Sequence, residues 1–104
     1  MMMTTDSPQM QVWLDTAAGP PAMVVPYVQT DQDARLTYRM KVSKQGKSGT
    51  SRIDQSGTVV ATAGTPKEMS RFAVNAQQGD KCEVEIEMLE GGQVRGRYRF
   101  DCPR

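Results

Sequence analysis

Three groups of residues in this chain carry types and spacings that could do chemistry: Gly46-Lys47-Ser48, the pair Cys82 and Cys102, and the carboxylates Glu83, Glu85 and Glu87. Gly46-Lys47-Ser48 reads like the tail of a phosphate-binding loop. Such a loop needs a glycine at the position occupied by Lys41, and a helix directly after it to receive the phosphate. Residues 48–55 are instead strand-like, so a hairpin turn is the better reading. The cysteines are far from Cys-x-x-Cys spacing, and no cationic or helix-terminal context near them would lower a thiol pKa. Structural use is therefore expected over redox catalysis. Glu85 and Glu87 point the same way from one strand toward arginines, which makes an ion-pair ladder rather than an acid–base dyad.

The composition narrows the chemistry further. The chain has 104 residues and no histidine, which removes the usual general base, the Ser/His and Cys/His nucleophile pairs and the commonest zinc ligand. No enzyme activity, cofactor or metal is expected. A formal net charge of +1 gives no global pull toward nucleic acid or an acidic membrane surface. No apolar run is long enough to span a bilayer, so membrane insertion is not expected, and no signal-peptide core follows Met1-Met2-Met3. The length suits one domain, expected to be a monomer, with a lead-in over residues 1–9 and a folded domain over 10–104.

The elements that must position these groups are strands. Met10, Val12 and Leu14 alternate with polar residues, and Trp13 falls out of phase with them, suited to the rim or end of a core. Residues 23–28 form a second candidate strand, in which Pro26 suggests an edge position or a bulge. In the strand over 35–42, Leu36, Tyr38, Met40 and Val42 face inward, with Arg35, Arg39 and Lys41 outward. A glycine turn at 45–49 leads to a strand over 50–55 with Ile53 as its expected core residue. Residues 58–61 continue that strand or start another. Residues 66–69 could make at most one helical turn, and Phe72 and Val74 share a face of a strand over 71–76.

The last hairpin can be registered. Cys82, Val84, Ile86 and Met88 alternate with glutamates; Val94, Gly96, Tyr98, Phe100 and Cys102 alternate with arginines. A two-residue Gly91-Gly92 loop would set Met88 against Arg95. A three-residue loop, Gly91-Gly92-Gln93, sets Glu90 against Val94, then Met88 against Gly96, Ile86 against Tyr98, Glu87 against Arg97 and Glu85 against Arg99. The second register makes both faces consistent and is adopted. It also places Cys82 opposite Cys102, within disulfide reach if the pair is non-hydrogen-bonded. Closing a loop of about 20 residues would contribute roughly 3 kcal/mol and would imply an oxidising compartment. Two buried free thiols are the alternative. About seven short antiparallel strands without helices describe an all-β, immunoglobulin-like sandwich, with a small Greek-key barrel as runner-up.

Charge is unevenly spread. From Arg35 to Arg52 there are six basic residues and no acidic one: Arg35, Arg39, Lys41, Lys44, Lys47 and Arg52. In an immunoglobulin-like sheet, the acidic row Glu83/Glu85/Glu87 lies between the basic rows Arg35/Arg39/Lys41 and Arg95/Arg97/Arg99. One reading is a solubilising surface that resists edge-to-edge pairing. The other is a shallow basic surface for transient capture of a polar chain, built on Arg35, Arg39, Lys41, Lys44, Lys47, Arg95, Arg97 and Arg99.

Tyr38-x-Met40-x-Val42, then Gly46 and Gly49-Thr50-Ser51, then Gln55-Ser56-Gly57 form a pattern that resembles the curli-assembly inhibitor family of the CsgC/CsgH type, closer to CsgH. The strand Phe72-x-Val74 and the closing hairpin extend the resemblance over roughly residues 10–102. It implies an immunoglobulin-like sandwich acting as a periplasmic chaperone, its leader absent from this sequence. Such a chaperone restrains amyloid formation by the disordered curli subunit through weak, transient contacts. The CsgC branch carries a Cys-x-Cys pair that this sequence lacks, so no redox role carries over. An adhesion or assembly module binding a folded partner through a strand edge or loops is the competing reading.

Overall fold

A computed structural model describes residues 9–17, 22–47, 49–74 and 79–102. Eight strands make two antiparallel sheets: β1 (Met10–Ala17), β2 (Ala22–Thr30), β3 (Ala34–Gly46), β4 (Gly49–Ala61), β5 (Lys67–Glu68), β6 (Phe72–Val74), β7 (Lys81–Glu90) and β8 (Gln93–Asp101). In the first sheet β2 pairs with β1 on one side and with β5 and β6 on the other. In the second the order is β4-β3-β7-β8. The adjacency of β3, β7 and β8 is that of the C, F and G strands of an immunoglobulin-like sandwich, with β4 added beyond β3. Of the expected lead-in only Gln9 is described; its carbonyl accepts a hydrogen bond from the Asp31 amide at 3.0 Å. The break at Gly19-Pro20-Pro21 and the end of the strand expected over 71–76 lie outside the described residues.

Alternation builds the core. Leu36, Tyr38, Met40 and Val42 of β3 and Cys82, Val84, Ile86 and Met88 of β7 are buried against Val24, Val28 and Phe72 of the other sheet. Full burial of such side chains contributes about 1.5–3 kcal/mol each. β4 is one continuous strand through Ala61, and Lys67–Glu68 pair with Val28 and Tyr27 as a short strand rather than a helical turn. Ile53 departs from expectation. It holds the inward phase opposite the core residue Val42 but stays 37% exposed on β4, the outermost strand of its sheet, and is not part of the core cluster. Trp13 is half-buried on the outer face of the smaller sheet, stacked on its cross-strand neighbour Tyr27 at 5.7 Å.

Pro26 is buried in a central strand, not at an edge. Its carbonyl accepts the Met69 amide at 2.9 Å, between the end of β5 and the start of β6. A non-proline residue there would return an N–H to the Met69 carbonyl. That carbonyl instead accepts the Tyr38 hydroxyl at 2.9 Å, so a side chain from the opposite sheet fills the bond proline cannot make. The same tie explains Gln55-Ser56-Gly57. Gly57 lies directly across from Tyr38, and a Cβ there would come within 2.7 Å of the tyrosine oxygen. Gln55 accepts a hydrogen bond from the Ser70 hydroxyl at 2.5 Å, one residue beyond Met69. The motif therefore locks β4 to the β5–β6 connection. Tyr38→Phe should cost about 1–2 kcal/mol by orphaning the Met69 carbonyl, measured by urea unfolding; an unchanged midpoint would show that water replaces the hydroxyl.

The closing hairpin combines features of both sequence registers. Gly91 and Gly92 hold φ of 59° and 82°, the pattern of a tight two-residue hairpin turn, and Glu90 pairs with Gln93. Left uncorrected, this turn would bring Met88 opposite Arg95. A bulge intervenes: Leu89 pairs with Val94 and Met88 with Gly96, so Arg95 is the extra residue and the expected register resumes. Cys82 and Cys102 form a disulfide with a Cα separation of 5.3 Å. Contrary to expectation the pair is hydrogen-bonded, since the Cys102 amide donates to the Cys82 carbonyl at 3.1 Å.

Candidate functional site

The outer face of the β4-β3-β7-β8 sheet carries the charges in rows along the strands. β3 presents Arg39 and Lys41, β7 presents Glu83, Glu85 and Glu87, and β8 presents Arg97 and Arg99. Cross-strand register aligns Arg39, Glu87 and Arg97 in one line and Lys41, Glu85 and Arg99 in the next. An open cleft of about 650 Å³ runs over these two lines, bounded by Arg39, Lys41, Arg97 and Arg99 with Glu85 and Glu87 between them. Cations outnumber carboxylates there.

The ion pairs are not equivalent, and backbone geometry says why. Between β7 and β8 the Cys82–Cys102 pair is hydrogen-bonded, so Glu85–Arg99 and Glu87–Arg97 fall at the alternate positions, where side chains approach most closely. Arg97 accordingly meets Glu87 at 2.9 Å and Arg99 meets Glu85 at 3.2 Å. Between β7 and β3 the alternation reverses, and Arg39 reaches Glu87 only at 3.6 Å. No ion pair engages Lys41 among the described residues. The glutamates thus lean toward β8, leaving the β3 cations more available. Arg99 is pushed above the usual guanidinium range by its hydrogen bond to Glu85 and by the charges of Glu83 and Glu85, so it stays charged at any working pH.

The expected eight-residue basic surface divides. Arg39, Lys41, Arg97 and Arg99 come together at the cleft. Arg35 is exposed on the same face but opposite Val60, away from it. Lys47 sits in the hairpin turn. Lys44 takes the inward phase opposite Cys82, because it follows Val42 by two residues and so shares its face. Arg95, displaced by the bulge, pairs with Glu90 at the end of the hairpin.

A second feature escaped the sequence reading. A groove of about 750 Å³ opens between β1 and β8, lined by Met10, Leu36, Arg95, Arg97 and Tyr98 among others. The one available signal was Gly96, since glycine inside a strand marks a close approach. A Cβ at Gly96 would come within 2.7 Å of the Tyr98 oxygen, so the ring lies along its own strand over the glycine. Among the described residues no group of three or more His, Cys, Asp or Glu side chains could hold a metal ion, and no helix is long and apolar enough to cross a membrane.

An antiparallel sandwich with its charged groups arrayed on an open sheet face defines a small all-β module of two sheets, consistent with an immunoglobulin-like arrangement. More narrowly, the chain belongs to the CsgH family, whose model, described as CsgH protein, matches residues 14–99. The solution structure of CsgH from R. palustris aligns with a TM-score of 0.70 and 19% identity, covering 88% of this chain and 91% of that one. The E. coli curli protein CsgC aligns with a TM-score of 0.73 and 18% identity, covering 91% of this chain and 99% of that one. At these identities the structural likeness establishes the fold. No curated protein matches the sequence.

Proposed function

We propose that this protein is a periplasmic chaperone that delays amyloid assembly of the curli subunit, holding the disordered subunit through weak and repeatedly broken contacts on the charged face of the β4-β3-β7-β8 sheet. The observation that carries this reading is the convergence of Arg39, Lys41, Arg97 and Arg99 on one open cleft with only Glu85 and Glu87 between them. Exposed ion pairs each contribute little, so such a face captures a polar chain without retaining it. A disordered amyloid precursor offers little apolar surface for a hydrophobic clamp, whereas its polar side chains and backbone suit a flat charged sheet. The Cys82–Cys102 disulfide supports an oxidising compartment.

The test is thioflavin fluorescence of curli subunit with roughly one protein per ten subunits, a ratio at which only repeatedly dissociating contacts are effective. A delay in fibre growth is expected at about 50 mM salt and should largely disappear at about 500 mM, where the Debye length falls from roughly 14 Å to roughly 4 Å. No delay at low salt would favour a module that binds a folded partner. A delay unaffected by salt, after correction for the subunit's own salt response, would remove the charged face from the mechanism.

A further inference from the structure

β8 ends the β4-β3-β7-β8 sheet and, among the described residues, pairs with β7 alone. The direction of its hydrogen-bonding groups follows from one contact. The Cys102 amide donates to the Cys82 carbonyl, and the register continues through Val84–Phe100, Ile86–Tyr98 and Met88–Gly96. Positions 96, 98, 100 and 102 therefore turn their amides and carbonyls toward β7. Arg97, Arg99 and Asp101 turn theirs to the outer edge. An edge of this kind is a template for another strand.

The residues that offer their backbone to the edge also present their side chains on the outer face. Arg97 and Arg99 are engaged by Glu87 and Glu85 on the β7 side, yet their side chains remain 74% and 67% exposed. A guanidinium has five N–H donors, so each keeps donors for a second acceptor. Charge alternates strand by strand across the face: basic on β3, acidic on β7, basic on β8. The next member of that series is an acidic strand. Below the same edge lies the groove lined by Met10, Leu36 and Tyr98, open to side chains that point the other way.

The geometry points to the β8 edge as a strand-addition site for an extended peptide with carboxylates at alternate positions, separated by apolar or small residues. Its carboxylates meet Arg97 and Arg99 on the outer face, and the intervening side chains enter the groove. The backbone supplies affinity, and the two-residue spacing of the arginines supplies selectivity. A second copy of this chain is the wrong occupant, because paired β8 edges would oppose one arginine row to another. The edge chemistry stands apart from the chaperone reading; only the identification of this peptide with a segment of the disordered subunit rests on it.

The probe is a short end-capped peptide alternating glutamate with valine, added to the oxidised full-length protein and followed by residue-resolved amide hydrogen exchange. Exchange at Arg97 and Arg99 is expected to slow by about tenfold or more at saturation, with Tyr98 and Phe100, already bonded to β7, little changed. A lysine–valine peptide should have no effect. N-methylation of the glutamate nitrogens, which face β8 in this pairing, should abolish binding. Peptide binding that leaves the Arg97 and Arg99 amides unprotected, or that survives N-methylation, would overturn strand addition while leaving the charged face intact. Protection that grows with protein concentration alone would assign the edge to a second copy and also overturn it. Failure of the peptide to bind, alongside a retained delay in fibre growth, would reject the edge and not the chaperone. Edge protection without any fibre delay would reject the chaperone and not the edge.

Discussion

Arg97→Gln/Arg99→Gln is expected to weaken suppression of curli fibre growth by about fivefold at low salt, read as the concentration needed for a given thioflavin delay. The size follows from losing two exposed charge contacts to the client, each weak in water, together with loss of the local positive excess. The cleft holds Arg39, Lys41, Arg97 and Arg99 against Glu85 and Glu87. Removing the β8 pair leaves two cations against two carboxylates, and those carboxylates lose the partners that held them most closely, at 2.9 and 3.2 Å. Thermal stability should move by no more than about 2 °C, because both side chains are exposed. Arg71→Gln is the control. Arg71 binds Glu68 beside the other sheet, where it keeps the carboxyl below its ordinary range through their hydrogen bond, and its loss should leave the delay unchanged. Glu85→Gln/Glu87→Gln should lengthen the delay, since it releases Arg39 and Arg97, leaves Arg99 only its longer contact to Glu83, and removes both carboxylates from among the four cations of the cleft. Full suppression by the double arginine variant would move the client to the basic stretch of the β3–β4 hairpin.

Loss of the disulfide is expected to have the largest effect on stability. Cys82→Ser/Cys102→Ser should cost about 3 kcal/mol, the chain-entropy value for a closed loop of this length, and lower Tm by about 15 °C. Both sulfurs are buried at the open end of the β7–β8 hairpin, so polar replacements add to the cost. The bond joins the strands that carry Glu85, Glu87, Arg97 and Arg99, but it lies beyond the last paired residues of β8. The variant should therefore unfold at lower temperature yet still delay fibres when assayed well below its Tm. Calorimetry with and without reductant checks the first expectation. A Tm unchanged on reduction would mean that the reduced, unfolded chain is already constrained, and would remove the loop-closure argument.

Much of the charged face was legible in the residue order. Alternation assigned the inward and outward residues of β3, β7 and β8, because a strand has a period of two and a one-residue slip would bury arginines. The pairings Glu85–Arg99 and Glu87–Arg97 followed from making both faces of the hairpin consistent, and the opposition of Cys82 to Cys102 came with them. The turn that produces this register was less readable. Two glycines favoured a tight turn while the strand pattern demanded one more residue, and a bulge at Arg95 satisfies both. Lys44 was grouped with the basic run by proximity in sequence, although its phase turns it inward opposite Cys82.

What local pattern cannot express is which strand lies beside which, and how far the covering sheet extends. Pro26 argues for an edge when only its own missing donor is considered. It is tolerated in the middle of a sheet because Tyr38, from the facing sheet, bonds the carbonyl that proline leaves free. Ile53 has the phase of a core residue and misses the core because phase fixes a face, while burial also needs something packed against it. The edge position of β8 and the groove beside it are likewise properties of assembled sheets. Strand identity, facing and the register of the final hairpin were carried by residue types at a period of two, a local constraint. The cleft that gathers Arg39, Lys41, Arg97 and Arg99, the asymmetry of its ion pairs and the open edge of β8 arise when distant segments become hydrogen-bonded neighbours.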